Sequence, residues 1–443
     1  MRPNANLMKA TITGALGGLL FGFDTVVVSG VIDSLVKLYG LSDYGKGWTV
    51  AIALIGTVIG SFGAGAVGQR LGGRETLRIT AVLYIISAIG SGLAWNWPAL
   101  MVFRFIGGLG IGASSVLGPV YIAELAPAQW RGRLVGAFQI NVVLGILVAY
   151  ASNYGIRLLH LGATEWRWQV GVAAIPAVLF LALLFFIPRS PRWSVSRARI
   201  DEALAVLKQM GTPDPEAELK DIRDAMAQEH ASTHEPVFRW KYRYPLFLAI
   251  TIGAFNQLAG INAILYYLNN IFAAAGFTQV SGDQQAIAIG ATNLIFTLIG
   301  MTLIDKLGRK TLLLIGAFGT ATCLAGVAYL FQTNSHPELL VWVLVLYIAF
   351  FAISQGAVIW VYIGEVFPNL VRSKGQGVGN ASHWILNTAI ALEFPVLVGR
   401  MGQATPFIFF TIMTVVQFVT VLFFYPETKG QTLEALQRKL VKG

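Results

Sequence analysis

The stretch FGFDTVVVSG, residues 21–30, places one aspartate, Asp24, in the middle of an apolar and glycine-rich sequence. Residues 10–32 contain no other charged side chain, and an apolar run of this length is typical of a helix that crosses a bilayer. A carboxylate inside such a helix is costly, so Asp24 is a functional candidate. The alternative is a structural ion pair inside a helix bundle, with no part in the protein's activity.

The composition of the chain indicates a membrane protein. Of its 443 residues, 55% are hydrophobic and only 12% are charged, and the mean hydropathy is +0.65. Soluble domains carry about twice this charged fraction. Because every backbone polar group in lipid needs an internal partner, the apolar segments are predicted to be helices, which makes this an all-α membrane protein. Twelve transmembrane helices are predicted, at 8–32, 48–68, 76–95, 98–122, 133–156, 168–187, 244–272, 285–304, 311–331, 339–363, 375–398 and 404–425.

The side chains that enzymes use are not grouped in this sequence. With a single cysteine, Cys323, neither an intramolecular disulfide nor a cysteine metal site is possible. The segment GGLGIG at 107–112 lies in an apolar span with no preceding strand, which favours close helix packing over a nucleotide-binding loop. No nucleophile–base set is present, so we predict that the protein is not an enzyme and needs no cofactor or metal.

The basic residues set the orientation of the chain. The net charge is +10, but the Lys and Arg residues lie in short loops between spans, which argues against a nucleic-acid partner. They are most frequent around 70–78, 130–133, 305–310 and 372–374, and by the positive-inside rule these loops are cytoplasmic. Both termini are then predicted to be cytoplasmic as well.

A charged segment interrupts the series of spans after the sixth. Its stretches DEALAVLKQM (201–210) and EAELKDIRDAMAQEH (216–230) predict short amphipathic helices at the surface. The predicted organisation is therefore a six-helix bundle (1–187), a cytoplasmic helical linker (188–243), a second six-helix bundle (244–425) and a cytoplasmic tail (426–443).

An internal repeat relates the two predicted bundles. YIAELAPAQWR at 121–131 and YIGEVFPNLVR at 362–372 share Tyr, Ile, Glu, Pro and Arg in register, and RLGGR at 70–74 corresponds to KLGRK at 306–310. Two similar six-span halves are expected to pack pseudo-symmetrically around a central cavity with a substrate near the bilayer midplane. The repeat therefore indicates a transporter.

Arg104, early in the fourth span, is the predicted partner of Asp24. An arginine stays charged at any working pH, so only the aspartate of such a pair can gain or lose a proton. A rearrangement that moves Arg104 away would favour proton uptake by Asp24. The pair thus offers a mechanism for coupling transport to protons.

Amides and tryptophans inside the spans predict the kind of ligand. Asn256, Gln257 and Asn262 lie at the start of the seventh span, and Gln139, Asn293, Trp360 and Trp384 lie in other spans. Amides both donate and accept hydrogen bonds, which suits a neutral polyhydroxylated ligand, and tryptophan offers a flat surface to a sugar ring. The alternative is that the amides only join helices to one another.

The chain resembles the sugar porter family of the major facilitator superfamily over nearly its whole length. The resemblance rests on FGFDTVVVSG (21–30), RLGGR (70–74), DKLGRK (305–310), YIAELAP (121–127), WRGR (130–133), PRSPRW (188–193), QLAGINAILYY (257–267), WVYIGEVFP (360–368) and PETKG (426–430). It implies a major facilitator fold and sugar transport by alternating access. Members of the family include bacterial proton-coupled sugar symporters and animal facilitative glucose carriers, and Asp24 stands where the proton-coupled members have aspartate.

The resemblance also implies roles for individual residues. Sugar contacts are implied for Gln139, Gln257, Asn262, Asn293, Trp360 and Trp384, with Phe21 and Gly356 lining the same pocket. Proton coupling is implied for Asp24 and Arg104. An extracellular gate is implied for Tyr266 and Tyr267, and a cytoplasmic salt-bridge network for Glu124, Arg131, Arg309, Glu365 and Arg372. Charges paired in one state only would bias a two-state equilibrium.

Five positions depart from the family pattern. Gln69 replaces an aspartate and Gly73 an arginine in the first-half loop, and Arg189 replaces a glutamate after the sixth span. These changes weaken the first-half charge network and would favour the inward-facing state. In the pocket, Asn256 replaces a longer glutamine and His383 replaces an amide, so that His383 is either a sugar contact or an ordinary helix contact.

The leading hypothesis is a proton-coupled symporter for a hexose or pentose in a bacterial inner membrane, acting as a monomer. A facilitative sugar uniporter is the alternative, and Asp24 argues against it. A transporter-like sugar sensor is a third hypothesis from another class. Transport by the purified protein in a lipid-only system separates a carrier from a sensor.

Overall fold

The computed structural model describes residues 4–231, 235–368, 370–431, 436 and 440–441, without the side chains of residues 128 and 228–231. All regular secondary structure in these residues is helical. The helices are α1 (Ala5–Val27), α2 (Ile32–Tyr39), α3 (Asp43–Leu71), α4 (Gly73–Leu93), α5 (Trp97–Leu125), α6 (Ala128–Arg157), α7 (Glu165–Gly171), α8 (Ala174–Leu183), α9 (Pro191–Ser196), α10 (Ile200–Gln209), α11 (Pro215–Ala231), α12 (Arg243–Leu258), α13 (Ile261–Tyr266), α14 (Leu268–Ala274), α15 (Gln279–Leu307), α16 (Arg309–Thr333), α17 (Pro337–Phe351), α18 (Ala357–Glu365), α19 (Arg372–Met401) and α20 (Ala404–Phe424).

Within the described residues, 12 helical segments are long and apolar enough to cross a membrane, which confirms the predicted spans. They are Ala5–Gly30, Asp43–Leu71, Gly73–Leu93, Trp97–Leu125, Gln129–Arg157, Gly162–Leu183, Trp240–Tyr266, Gln279–Leu307, Arg309–Thr333, Pro337–Glu365, Arg372–Met401 and Ala404–Phe424.

The sixth span is not the continuous helix that was predicted. It is divided into α7 and α8 by a turn at Val172 and Ala173. Pro176 has no backbone N–H for the carbonyl of Val172, and its ring disfavours a regular helix across that point. The amide of Ile175 donates to this carbonyl instead, at 3.0 Å.

The chain forms two compact units, one from residues 1–31 and 52–233 and the other from residues 32–51 and 234–443. In the first unit, α1 lies against α6 with backbone touching backbone. A methyl group on Gly22 would overlap the carbonyl oxygen of Val142, and one on Gly145 would overlap that of Leu19. Small residues allow this approach in membranes, where van der Waals packing replaces the hydrophobic effect between helices. The glycine beside Asp24 in the opening sequence is thus a packing residue.

The GGLGIG segment serves the same purpose on α5, as predicted. A side chain on Gly108 would overlap the carbonyl oxygen of Ala53, and one on Gly112 that of Thr57, both on α3. The segment is therefore a helix-packing surface and not a nucleotide-binding loop.

The second unit includes a segment that precedes most of the first unit in sequence. Asn270 of α14 donates a 2.6 Å hydrogen bond to the Asp33 carboxylate of α2. Gly47, in the first turns of α3, lies so close to the backbone of Leu392 in α19 that a side chain would clash. These contacts explain why residues 32–51 group with this unit.

The internal repeat seen in the sequence is also present in backbone conformation. Gly72 and Gly308 occupy the same unusual region, with φ of 89° and 91°, immediately before α4 and α16. Side chains repeat the pattern: the Tyr121 hydroxyl donates to the carbonyl of Pro188 at 2.7 Å, and that of Tyr362 to the carbonyl of Pro426 at 3.1 Å. The two units are therefore built on one plan.

The charged segment after the sixth span contains the two amphipathic helices that were predicted, α10 and α11. Ala203, Leu207 and Leu219 form a small apolar core with the partly buried residues around them. Val206 of α10 and Met210, which follows this helix, also join the main core of the first unit. Of the predicted tail at 426–443, residues 432–435, 437–439 and 442–443 lie outside the described part.

We expect Gly22→Ala to destabilise the protein by about 1–3 kcal/mol, because the added methyl group must push α1 away from α6. Thermal unfolding of the purified protein in detergent measures the change. Gly65→Ala is the matched control, since a methyl group there has open space around it and alanine is the better helix former. Equal unfolding temperatures for the two variants would contradict the close packing of α1 on α6.

Candidate functional site

Asp24 and Arg104 face each other within the first unit, from α1 and α5. Their closest charged atoms, Oδ1 and Nη1, are 3.9 Å apart, and their side chains are only 15% and 5% exposed. The second carboxylate oxygen, Oδ2, is buried and has no hydrogen-bond partner among the described residues. The carboxylate is therefore held near a fixed positive charge while one oxygen stays available to a proton.

A small residue makes room for this pair. Gly107, one turn after Arg104, has its missing Cβ position 3.8 Å from Asp24 Oδ2, and a side chain there would clash with Ser87 of α4. Sequence reasoning assigned Gly107 to packing alone and missed Ser87, because only the fold brings α4 next to the carboxylate.

Two further predicted residues lie in the first unit. Phe21 packs partly buried against the core, one turn before Asp24. Gln139 on α6 is half-buried.

The amides of the seventh span form one cluster in the second unit. The span breaks after α12 at Gly260, which is left-handed with φ of 84°, and restarts as α13. Asn262 Nδ2 donates to Gln257 Oε1 at 3.2 Å, and Gln257 Nε2 donates to Asn256 Oδ1 at 3.0 Å. An unbroken helix would have placed Gln257 and Asn262 on only roughly the same face. The break makes them direct partners.

His383 joins the amides to the tryptophans. Gln257 Nε2 lies 3.3 Å from both ring nitrogens of His383, which is buried on α19. The imidazole centroid is 5.1 Å from the rings of both Trp360 and Trp384. Trp384 is buried, whereas Trp360 is exposed on α18. The amides of the seventh span and the two tryptophans therefore meet around one histidine, which gives a polar edge beside flat apolar surfaces.

Asn293 and Gly356 lie on other elements of the second unit. Asn293 is buried on α15, where its Oδ1 accepts a 3.4 Å hydrogen bond from Thr297. Gly356 ends a π-helical turn, Ala352–Gly356, between α17 and α18. In the described residues no hydrogen bond joins either one to the amide cluster.

The two predicted gate tyrosines stand at a second break in the seventh span. Tyr266 ends α13, and Tyr267 separates it from α14. Tyr266 accepts a hydrogen bond from Asn387 at 3.0 Å, and Tyr267 donates to the carbonyl of Ala391 at 2.7 Å. Both buried hydroxyl groups thus attach this short segment to α19.

The charged residues of the second unit form a connected network at the start of α16. Arg309 binds the Glu365 carboxylate in a two-pronged contact, at 2.8 and 3.2 Å, and Asp305 at 3.1 Å. Thr428 donates to the same carboxylate of Glu365 at 2.6 Å. Among the described residues no carboxylate pairs with Arg372, whose Nε donates to the carbonyl of Phe367 at 3.3 Å.

The corresponding residues of the first unit are arranged differently. Arg131 pairs with Glu218 of α11 at 3.5 Å, and Glu124 lies beside Ser190 and Arg192. No contact between Glu124 and Arg131 side chains is seen in the described part of the chain. Gly73, where the family has arginine, leaves no guanidinium to make the contact that Arg309 makes.

Glu427 is a central residue that sequence reasoning missed. Its carboxylate accepts hydrogen bonds from the backbone amides of Arg309, Lys310, Thr428 and Lys429 at 2.9–3.0 Å. Burial opposes ionisation, but these four donors outweigh it and keep the pKa of Glu427 below its ordinary value. The carboxylate caps the start of α16. The PETKG segment was the available signal, but its glutamate was not assigned a role.

Comparisons with known proteins give the family and the fold of the chain. The family model "Sugar (and other) transporter" matches residues 10–440. The chain is 36% identical to an arabinose-proton symporter of Bacillus subtilis, with 96% of this chain and 93% of that protein covered, and 34% identical to a D-xylose-proton symporter of Escherichia coli, with 97% and 95% covered. Among solved structures, the inward-open xylose transporter of Escherichia coli matches with a TM-score of 0.88 and 33% identity, over 98% of this chain and all of that one.

We expect Glu427→Gln to lower stability by about 1 kcal/mol at neutral pH, because α16 loses a charged cap that is partly screened by solvent. The folded-state pKa of Glu427 lies below the unfolded value, so its stabilisation is present above the ordinary glutamate range and is lost as the pH falls through the folded pKa. The difference in unfolding temperature between wild type and variant should therefore shrink between about pH 5 and pH 3. Glu216→Gln, at an exposed carboxylate of α11, is the control. A pH-independent difference would refute the charged cap.

Proposed function

The chain belongs to the sugar transporter family, and from that premise we propose that it is a proton-coupled monosaccharide symporter that works by alternating access. It is a transporter and not an enzyme. The observation that carries the proton coupling is the buried pair of Asp24 and Arg104, with one carboxylate oxygen lacking a hydrogen bond among the described residues. The named symport of arabinose and xylose by its relatives supports the same function.

The proton step follows from the unequal chemistry of the two partners. Arg104 cannot release its proton at any working pH, so the charge of the pair changes only when Asp24 binds or loses one. At 3.9 Å the guanidinium of Arg104 favours the ionised form of the Asp24 carboxylate, while burial of the carboxylate opposes it. A movement of α1 relative to α5 that lengthens this distance would favour protonation, and the reverse movement would release the proton.

Sugar binding rests on the cluster of Asn256, Gln257, Asn262 and His383 with the adjacent tryptophans. Asn256 keeps its Nδ2 donors, and Asn262 keeps its Oδ1 acceptor, after their hydrogen bonds with Gln257 are counted. A hydroxyl group can meet both kinds of atom, and a sugar face can lie on Trp384 or Trp360. Other roles stay predictions from the family resemblance. They are the sugar contacts of Phe21, Gln139, Asn293 and Gly356, and the gating roles of the tyrosines and charged residues.

The arrangement in the membrane is also part of the proposal. The protein is multi-pass, and we place it in a bacterial inner membrane as a monomer surrounded by lipid, with both termini in the cytoplasm. The organisation into bundles at 1–187 and 244–425, a linker at 188–243 and a tail at 426–443 belongs to the same proposal. The positive-inside distribution of Lys and Arg supports this orientation.

Uptake of labelled arabinose, xylose, glucose and galactose into liposomes that hold the purified protein tests the function. Sugar accumulation that requires an inward proton gradient is the expected result. Equilibration that ignores the gradient would instead identify a uniporter. Absence of uptake of all four sugars would contradict transport of these monosaccharides and favour a sensor.

We expect Asp24→Asn to abolish gradient-driven accumulation and to keep sugar exchange across the same liposomes, because the variant cannot carry a proton but retains the sugar contacts. Asp201→Asn, at an exposed position of α10, removes the same charge elsewhere and should accumulate sugar like the wild type. Full accumulation by Asp24→Asn would assign the pair a structural role only.

We expect Gln257→Ala and Asn262→Ala each to weaken sugar binding by about 1–3 kcal/mol, since a buried sugar hydroxyl or its partner amide is left without a hydrogen bond. Tryptophan fluorescence titration or calorimetry on the purified protein measures this loss. Gln129→Ala, at an exposed amide near the start of α6, should bind as the wild type does. Unchanged affinity in both cluster variants would remove the amides from the binding site.

A further inference from the structure

The beginning of α4 and the segment after α8 hold more guanidinium groups than carboxylates. Glu75 binds Arg74 at 2.7 Å and Arg78 at 2.8 Å, and it is also the nearest acidic group to Arg189, at 3.7 Å. Glu202 lies 3.9 Å from Arg189 and 3.6 Å from Arg199. These four arginines are thus paired with only two carboxylates, so the group carries a net positive charge.

Arg189 is the least satisfied member of this group. Neither of its carboxylate neighbours is within hydrogen-bond distance, and its Nε is a buried donor with no partner among the described residues. Its guanidinium lies 5.3 Å from the ring of Trp193, which in turn packs against Gly72 at the start of α4. The Arg189 side chain is nevertheless 31% exposed, so the terminal nitrogens of its guanidinium can meet an acceptor from outside the protein.

In the second unit, a carboxylate caps the helix that corresponds to α4. There Glu427, directly after Pro426, places its carboxylate on the amides of Arg309 and Lys310 at the start of α16. The residue that follows Pro188 in the first unit is Arg189, so the Glu427 carboxylate has no counterpart at the related position. A negative charge built into one half is thus replaced by a positive one in the other.

Exposed aromatic rings adjoin these cations. Phe185 and Phe186 follow α8 directly and are 61% and 68% exposed. Arg78 lies over the Phe185 ring at 4.3 Å, and Lys9 of α1 lies over the Phe186 ring at 5.1 Å. A soluble anion would need the cations only, whereas a lipid has an anionic head and an apolar body that match both features.

We propose that this surface, formed by Lys9, Arg74, Arg78 and Arg189 around Phe185 and Phe186, binds the phosphate group of an anionic phospholipid. Guanidinium groups suit phosphate because their planar fork can donate two parallel hydrogen bonds. The phosphate accepts from Arg189 and lies near the start of α4, where a negative charge is favoured by the helix dipole. The acyl chains run along the two phenylalanine rings.

The test uses the purified, delipidated full-length protein titrated with phosphatidylglycerol or with phosphatidylcholine, and native mass spectrometry counts the bound lipid. Wild type should prefer phosphatidylglycerol. Arg189→Gln should lower its affinity about fivefold and Arg189→Glu about 25-fold, one step for each unit of charge removed near the phosphate. Arg239→Gln removes an exposed charge paired with Glu235 in the second unit and should have no effect. Equal affinity in wild type and both Arg189 variants, or an equal loss in Arg239→Gln, would overturn the proposal.

Two further measurements separate a lipid from a free anion. Phe186→Ser should weaken phosphatidylglycerol binding without removing a charge. Inorganic phosphate, added in millimolar excess, should fail to displace the lipid. Displacement by phosphate, together with unchanged lipid binding in Phe186→Ser, would identify a site for soluble anions and overturn the lipid assignment.

Discussion

The absence of water from the bilayer core is the constraint on which this structure depends. Backbone groups must find partners within the protein, so the spans are helices, and helices approach closely only where side chains are small. Gly22 and Gly145 permit such an approach, and the backbone contact of α1 with α6 holds Asp24 in a fixed place opposite α5. The same constraint makes the Asp24 carboxylate energetically costly, which is why we propose that it has a role in proton transfer.

The two units share the same backbone arrangement but differ in their charged residues. The glycines before α4 and α16 have nearly the same conformation, and Tyr121 and Tyr362 bond the carbonyls of corresponding prolines. The second unit retains a carboxylate, Glu427, on its helix start. The first has an arginine at the related position, and its Arg131 pairs with Glu218 of the insert. Backbone geometry is fixed by packing, while charges at the membrane edge are free to diverge because water and lipid headgroups can satisfy them.

The spans and the amphipathic insert helices could be predicted because composition and periodicity are local signals. The candidate ligand cluster could be predicted as a list of residue types, but its contacts could not. The left-handed Gly260 turns Gln257 and Asn262 into direct partners, and His383 meets both tryptophans only through the packing of α19 on its neighbours. Arg131 pairs with Glu218, and Asn270 with Asp33, although the partners are far apart in sequence. A local sequence pattern therefore could not predict these contacts.

The two breaks in the seventh span bear on how fast the protein can rearrange. Between Gly260 and Tyr267 the chain forms a six-residue rod with a joint at each end. Turning such a rod changes a few dihedral angles and leaves the hydrogen-bond ladders of α12 and α14 intact. The kinetic barrier is then set by contacts such as the hydrogen bonds of Tyr266 and Tyr267 to α19, each worth about 1 kcal/mol. Local movement of this segment therefore belongs to the microsecond-to-millisecond range of hinge motions.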